Sequence, residues 1–338
     1  MGTVTGGINS TGKPAASSIL TIDDSSFVRP FSDDVTVSLL NRAKNSGYSA
    51  LIVTLDTMSI GWRPHDLDTS YLPFIHSYGC QTGFADPVFM ARYGKQPETR
   101  SKLVFPYNPQ EINARAERGD PEAKATIHMG NEWVKEMSSG RQRSWDELKL
   151  LRDNWQGPLV LKGIQCAADA ELAIDAGVDG IVVSNHGGRQ VDGGVSALWS
   201  LEHIMKSSKV REAQASGKFT VLFDSSIRTG PDIFKALALG AQAVLRKPFS
   251  LLHRMPSCIM RECFFSALSL IVTIWLVGRP YVYGLALGGA DGIKHVVKTI
   301  LAELEVTMGL SGYKAIDEIQ GKGEDILARV APASACKL

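Results

Sequence analysis

The densest group of chemically active side chains is the run Ser184-Asn185-His186-Gly187-Gly188-Arg189-Gln190, which directly follows a short apolar segment. An imidazole such as that of His186 can accept a proton near neutral pH. A guanidinium such as that of Arg189 can hold a carboxylate with two parallel hydrogen bonds. The residue types are therefore those of a proton acceptor and an anion clamp. A core histidine beside a glycine-rich turn, the structural alternative, does not account for an arginine on the same loop.

Three further apolar segments end in polar or glycine residues in the same way. These ends are Asp56, Lys162-Gly163 and Asp224. In a parallel barrel the carboxyl ends of the strands converge on one site, so this pattern by itself nominates the four ends as parts of a single functional centre.

The elements that must position these residues alternate regularly along the chain. Short, fully apolar strands separated by single helices predict a parallel sheet covered by helices, and hence an α/β fold. The predicted strands are Leu51–Val53, Leu159–Gly163, Gly180–Val183, Phe219–Phe223 and Ala241–Leu245. The predicted helices are Asp33–Asn45, Trp145–Arg152, Ala167–Ala176, Leu198–Ala215 and Thr229–Leu239. The polar stretch from Gly61 to Arg143 predicts an excursion from the sheet with short helices of its own.

Composition excludes several classes of protein. A length of 338 residues suits one (β/α)8 barrel. The 36 Lys and Arg residues balance 35 Asp and Glu residues, which argues against a nucleic-acid or anionic-membrane partner. A hydrophobic fraction of 44% excludes bulk disorder. The five cysteines show no CxxC spacing, so neither a disulfide framework nor a metal site is predicted, and a reducing compartment is the default.

The segment Ser184–Gln190 resembles the active-site signature of the FMN-dependent α-hydroxy acid oxidases and dehydrogenases, such as glycolate oxidase and lactate monooxygenase. The similarity extends from about Asp33 to Ile319 and is greatest to the lactate monooxygenase-like branch. It implies a TIM (β/α)8 barrel, FMN as the cofactor, and a small (S)-2-hydroxy acid substrate, lactate-like, that is oxidised to the 2-oxo acid. It also implies O2 or another electron acceptor, and it leaves room for a family-like homo-oligomer.

The resemblance implies a role for each matching residue near the substrate. His186 would be the base, and Asp56 would orient it and stabilise its imidazolium form. Arg189 and Arg63 would bind the substrate carboxylate. Arg63 is included because the spacing from Thr54 through Asp56 to Arg63 matches the family; taken alone it reads as a surface residue.

The resemblance also implies a set of residues around the flavin. Lys162 matches the family lysine near flavin N1, where a cation stabilises the charge that reduction adds to the ring. Thr54 and Ser184 match positions that hydrogen-bond the isoalloxazine. The ribityl and phosphate groups would be held by Asp224, Ser226, Arg228, Gly278 and Arg279. Ser226 stands where the family usually has glycine, and a side chain there would crowd the phosphate or change the backbone.

The chain departs from the family pattern at its beginning. Residues 1–32 are rich in Gly, Ser, Thr and Pro and predict a disordered tail, followed by an FMN domain over 33–320 and a C-terminal tail over 321–338. The early strands of the barrel have no secure counterpart, although Ala15–Ile19 faintly resembles the second-strand region. An incomplete, N-terminally shortened barrel is therefore predicted, with exposed sheet edges.

A second departure is the segment 246–276, which separates Ala243-Val244-Leu245 from Gly278-Arg279-Pro280 where the family has one continuous last strand. The apolar run Phe264–Val277 within it falls short of the roughly 20 residues of a membrane span. Our hypothesis is a translated, retained intron, because Arg246-Lys247 can be encoded with a GTAAG donor site, and excision would restore a strand in frame.

These features leave three classes of function. The first is the FMN-dependent oxidoreductase that the resemblance implies. The second is a catalytically inactive, degenerate or wrongly spliced fragment of such an enzyme, which the missing strands favour. A membrane-anchored binding module based on Phe264–Val277 ranks third, and no membrane partner is expected. The C-terminal Cys336-Lys337-Leu338 resembles a peroxisomal signal, so the predicted location is cytoplasmic or peroxisomal.

Overall fold

Six parallel strands form one sheet in the computed structural model, which describes residues 18–21, 30–69, 72–98, 108–225, 227–245 and 279–328. The strands are β1 Ser18–Thr21, β2 Tyr48–Thr54, β3 Leu159–Ile164, β4 Gly180–Val183, β5 Thr220–Asp224 and β6 Ala243–Leu245. Their order in the sheet follows their order in the chain. A sheet without a reversal of strand order is the arc of a barrel, whereas a doubly wound sheet reverses. Within the described residues this arc stays open, which confirms the predicted incomplete TIM barrel.

Thirteen α-helices lie among the described residues, most of them between strands. They are α1 Asp33–Asn45, α2 Pro64–Asp68, α3 Gln81–Phe84, α4 Pro87–Ala91, α5 Pro109–Glu117, α6 Pro121–Met137, α7 Leu148–Asn154, α8 Ala167–Asp175, α9 Ala197–Ile204, α10 Ser208–Ala215, α11 Gly230–Ala238, α12 Arg279–Leu310 and α13 Gly323–Ile326. Short 3-10 helices span Pro73–His76, Trp145–Glu147, His186–Gly188 and Ile316–Glu318. Helices α2–α6 make up the excursion predicted after Gly61.

The sheet buries apolar side chains on both faces. One face packs against the helices in a large core, which includes the fully buried Leu51, Leu161 and Ile181. The other face carries a separate small cluster of Ile52, Val160 and Val182, with Leu222 against it. Burial on both faces explains why the strands read as continuous apolar runs rather than as alternating patterns.

The structure differs from the sequence prediction in the segment before residue 33 and in the helix predicted over Leu198–Ala215. It also has helix α13 within the predicted tail 321–338. The predicted tail 1–32 contains β1, whose residues pair in parallel with β2 from Ser18↔Tyr48 to Thr21↔Ile52. A strand of four residues is too short to show a period, so only the pairing reveals it. The helix predicted over Leu198–Ala215 is two helices, because the side chain of Ser207 accepts a hydrogen bond from the Val210 backbone N–H and starts a new one.

The last long helix, α12, packs against α11. At the contact the Gly230 backbone N–H donates to Glu303 Oε2 at 2.9 Å, and a Cβ at Gly230 would lie 2.3 Å from the Leu304 backbone nitrogen. Helix α12 contains non-helical geometry at Gly288 and Gly289. In the described parts of the chain no helix is both long and apolar enough to span a membrane. The predicted insertion 246–276, Ser226, Gly278 and Cys336-Lys337-Leu338 lie outside the described residues.

Candidate active site

A layer of four polar side chains lies at the carboxyl ends of the central strands: Thr54, Lys162, Ser184 and Asp224. Each follows by two positions a member of the small apolar cluster on the inner face. Because side chains alternate between the faces of a strand, the four polar residues share that inner face. All four are at most 3% exposed. The sequence prediction that the strand ends share one centre is thus met by the register of the sheet.

Lys162 and Asp224 place opposite charges within this layer. Lys162 Nζ lies 3.7 Å from Asp224 Oδ2, and both side chains are almost fully buried. This separation is longer than a hydrogen bond but short enough for a strong Coulomb attraction in a buried setting. Thr54 is the direct neighbour of Lys162 across β2 and β3. A buried charge requires a compensating partner, so the pair constrains the centre of the layer.

Beside the layer, His186 and Asp56 form the predicted pair. His186 Nδ1 lies 2.9 Å from Asp56 Oδ1, with the histidine side chain fully buried and the aspartate 14% exposed. The tautomer in which Nδ1–H donates to the carboxylate leaves Nε2 as the proton-accepting nitrogen. A Cβ at Gly163 would lie 3.3 Å from the Asp56 side chain, so the glycine gives the carboxylate its room.

The loop that carries His186 has a strained backbone. His186 has φ +60°, a left-handed conformation that non-glycine residues seldom adopt. Strain of this kind persists only where surrounding contacts enforce it, and it is concentrated at functional sites. The contacts here come from two hydroxyls: Ser184 Oγ accepts from the His186 backbone N–H at 3.1 Å, and Ser225 Oγ accepts from the Gly187 backbone N–H at 3.0 Å.

Ser225, which the sequence analysis did not single out, connects this loop to the polar layer. Its Oγ donates to Asp224 Oδ1 at 2.8 Å and accepts from the Asn185 backbone N–H at 3.2 Å. Ser225 itself has φ +86°. The sequence signal was its position directly after the strand-ending aspartate, and its left-handed backbone could only be seen in the structure.

Arg63 reaches the same loop from the segment after β2. Its Nε donates to the Arg189 backbone carbonyl at 3.1 Å, and its Nη2 donates to Gln190 Oε1 at 2.9 Å. Its Nη1 lies 3.9 Å from Asp66 Oδ2. The structure therefore brings the Arg63 side chain to the backbone of Arg189, with that side chain only 14% exposed. Arg189 is half-buried.

The predicted phosphate end of the site is described only in part. Arg228 is exposed, and its backbone N–H donates to Asp232 Oδ2 at 3.0 Å. Arg279 is the first residue of α12, not part of a strand, and only its backbone is described.

The donor set matches the flavin half of FMN. The isoalloxazine presents ring nitrogens and carbonyl oxygens along its polar edge. Hydroxyl groups can donate hydrogen bonds to these atoms, and a cation can stabilise negative charge on them. The hydroxyls of Thr54 and Ser184 and the ammonium of Lys162 supply those groups at one end of the sheet, where ligands of barrel enzymes bind. The arrangement therefore fits the polar edge of the ring. Of the residues predicted to hold the phosphate, Ser226 and Gly278 lie outside the described residues.

Comparison with known proteins identifies the same family. A family model described as FMN-dependent dehydrogenase matches residues 27–247 and 264–325. The unmatched residues 248–263 lie inside the predicted insertion 246–276.

Individual relatives agree with the family match. An FMN-dependent alpha-hydroxy acid dehydrogenase of Penicillium citrinum is 39% identical, over 84% of this chain and 56% of that protein. A peroxisomal (S)-2-hydroxyacid oxidase of Arabidopsis thaliana is 30% identical, over 85% of this chain and 58% of that protein. The structure of a mandelate oxidase superposes with a TM-score of 0.53 at 26% identity, over 86% of this chain and 60% of that one. The chain spans little more than half the length of these relatives, and it belongs to the FMN-dependent dehydrogenase family.

Proposed function

We propose that this chain oxidises a small (S)-2-hydroxy acid, lactate-like in size, to the corresponding 2-oxo acid, with FMN as the immediate electron acceptor. The observation that carries the proposal is the pair formed by the buried His186 and Asp56, 2.9 Å apart, on two loops that also carry Arg63 and Arg189. Oxygen or another acceptor would then reoxidise the cofactor.

His186 is the proton acceptor of this proposal. With Nδ1 held by Asp56, Nε2 receives one of the two protons that the substrate loses on oxidation. The Asp56 carboxylate stabilises the imidazolium that results, and it fixes the orientation of the ring. Burial of the His186 side chain reduces competition from water for this hydrogen bond.

Arg63 and Arg189 bind the substrate carboxylate in this proposal. Guanidinium groups suit this role because their donors match the two oxygens of a carboxylate. Nε and Nη2 of Arg63 donate to the Arg189 backbone carbonyl and to Gln190 Oε1, and these two bonds fix the orientation of its guanidinium. Binding the acid group fixes the position of the neighbouring carbinol relative to His186.

FMN, when bound, supplies the acceptor for the two electrons that leave the substrate. The buried Lys162 ammonium would stabilise negative charge on the ring, and Thr54 and Ser184 would hydrogen-bond its polar edge. By resemblance, Asp224 would hold the ribityl chain. By resemblance, Ser226, Arg228, Gly278 and Arg279 would hold the phosphate.

The location of the chain and the origin of its insertion complete the proposal. A cytoplasmic or peroxisomal protein is proposed, because Cys336-Lys337-Leu338 resembles a peroxisomal signal and the Arabidopsis relative is peroxisomal. We also keep the retained-intron hypothesis for 246–276. Sequencing the gene and its transcripts tests it: Arg246-Lys247 codons without GTAAG would exclude the proposed splice site.

An inactive fragment is the second candidate, and the open six-stranded arc of the described residues favours it. An arc without its remaining strands lacks one wall of the pocket. In this case the polar layer would remain, but flavin would not be retained.

Flavin binding and bleaching by the chain decide between the candidates, and two variants test the base assignment. The purified chain is expected to take up FMN and turn yellow, and L-lactate is expected to bleach the bound flavin without oxygen. His186→Ala should abolish the bleaching while flavin content is kept. His203→Ala is the matched control, because that histidine stacks on Trp199 on α9, away from the polar layer. A colourless chain supports the inactive fragment, and full bleaching in His186→Ala refutes the base assignment.

A further inference from the structure

The Gln190 side chain forms four hydrogen bonds beside the site. Its Nε2 donates to the backbone carbonyls of Asp56 and Ser59, the latter at 2.9 Å. Its Oε1 accepts from the Gly61 backbone N–H at 3.1 Å and from Arg63 Nη2 at 2.9 Å. A primary amide has two N–H donors and two acceptor lone pairs, so all of its capacity is used.

This pattern fixes the orientation of the amide. Rotation by 180° would turn the NH2 group toward two donors and the oxygen toward two carbonyls, leaving the whole set unsatisfied. The backbones also meet closely here, because a Cβ at Gly61 would lie 2.6 Å from the Gln190 carbonyl oxygen. Glycine is therefore required at position 61 for the two loops to approach.

The four contacts all lie on one loop, the segment 56–63 after β2, whereas Gln190 belongs to the loop after β4. The first loop carries Asp56 and Arg63, and the second carries His186 and Arg189. The proton acceptor and the carboxylate that orients it therefore lie on different loops. The two arginines are divided between the loops in the same way. A link between the loops thus sets both geometries together.

We propose that Gln190 is a positioning residue that holds the 56–63 loop against the His186 loop, so that Asp56 reaches His186 and Arg63 reaches Arg189. The effect of Gln190 on catalysis rests on the proposed function. The attachment of the 56–63 loop to the His186 loop by Gln190, called the clamp below, does not depend on that function. Gln190 touches neither His186 nor a reacting atom in this assignment; it acts through Asp56 and Arg63.

Hydrogen–deuterium exchange of the full chain tests the clamp without any activity. In Gln190→Met, which keeps the side-chain length, the amide of Gly61 should exchange roughly tenfold faster or more, because its acceptor is gone. In Gln190→Glu, one oxygen can still accept from Gly61 while the other faces the Asp56 and Ser59 carbonyls, so Gly61 should keep more protection than in Gln190→Met but less than in the wild type. Gln214→Met is the control: it removes one bond, from Nε2 to the Gly240 carbonyl at 2.9 Å, and should leave the 56–63 loop unchanged. Unchanged exchange at Gly61 in Gln190→Met overturns the clamp.

A double-mutant cycle tests the catalytic consequence. Gln190→Met alone should lower kcat/KM for L-lactate by roughly tenfold or more. Combined with Asp56→Asn, it should lower kcat no further than Asp56→Asn does, because its effect on proton transfer passes through Asp56. It should still raise KM in the double variant, because Arg63 is also released.

Each outcome of the cycle has one meaning. Independent losses of kcat that multiply in the double variant overturn the assignment to positioning. A wild-type chain that oxidises no 2-hydroxy acid refutes the proposed function, while the exchange experiment still decides the clamp by itself.

Discussion

Replacing Asp56 with asparagine should slow flavin reduction without weakening substrate binding. The bond at stake joins His186 Nδ1 and Asp56 Oδ1 over 2.9 Å. A hydrogen bond to a charged group contributes about 1.5–3 kcal/mol. Since about 1.4 kcal/mol corresponds to a tenfold change in rate, the expected loss in kcat is about tenfold to a hundredfold. KM should change little, because the arginines that hold the acid are untouched.

The assay is stopped-flow bleaching of the bound flavin by L-lactate under anaerobic conditions, at saturating and at limiting substrate. Flavin content is measured for each variant, so that loss of cofactor is not taken for loss of rate. Asp153→Asn is the matched control, since that carboxylate lies on α7 and pairs with Lys149 at 2.8 Å. Asp56→Asn with a rate within threefold of the wild type, or with a raised KM alone, would show that Asp56 does not support the base.

Three further perturbations have defined outcomes. Asp66→Asn should lower KM for the hydroxy acid by about two- to fivefold, because it removes a partly exposed carboxylate 3.9 Å from Arg63 Nη1, as steady-state kinetics would show. Lys162→Met should lower the free energy of unfolding by about 3–5 kcal/mol in urea titrations, because it leaves a buried carboxylate without its cation 3.7 Å away. Burial raises the pKa of the Cys80 thiol to about 12, so brief alkylation at pH 8, followed by peptide mapping, should leave Cys80 unmodified until the chain is unfolded.

The parallel sheet could be predicted because its strands carry a local signal. Runs such as Leu159–Leu161 and Gly180–Val183 are buried on both faces, and their composition shows it directly. The polar layer could be predicted for the same reason, since Lys162 and Asp224 lie at the carboxyl ends of strands in one parallel sheet, which meet at the same edge. The sequence therefore predicted best the site residues that lie at the ends of regular strands.

The parts that could not be predicted depend on tertiary contacts. Strand β1 is defined by its pairing with β2 and has no period of its own. Gln190 and Ser225 were not assigned roles, because their importance lies in hydrogen bonds to segments distant in the chain, from 190 to Asp56 and from 225 to Gly187. A motif gives the residue types of a loop, but it does not show which loop is held against which.

Anaerobic titration of the purified, FMN-loaded chain with L-lactate tests the central claim most directly. We expect one equivalent of L-lactate to bleach one equivalent of bound flavin and to yield one equivalent of pyruvate, with the colour restored on admission of air. A chain that retains FMN but is not bleached by lactate or by other small (S)-2-hydroxy acids, and forms no 2-oxo acid, would contradict the proposed function.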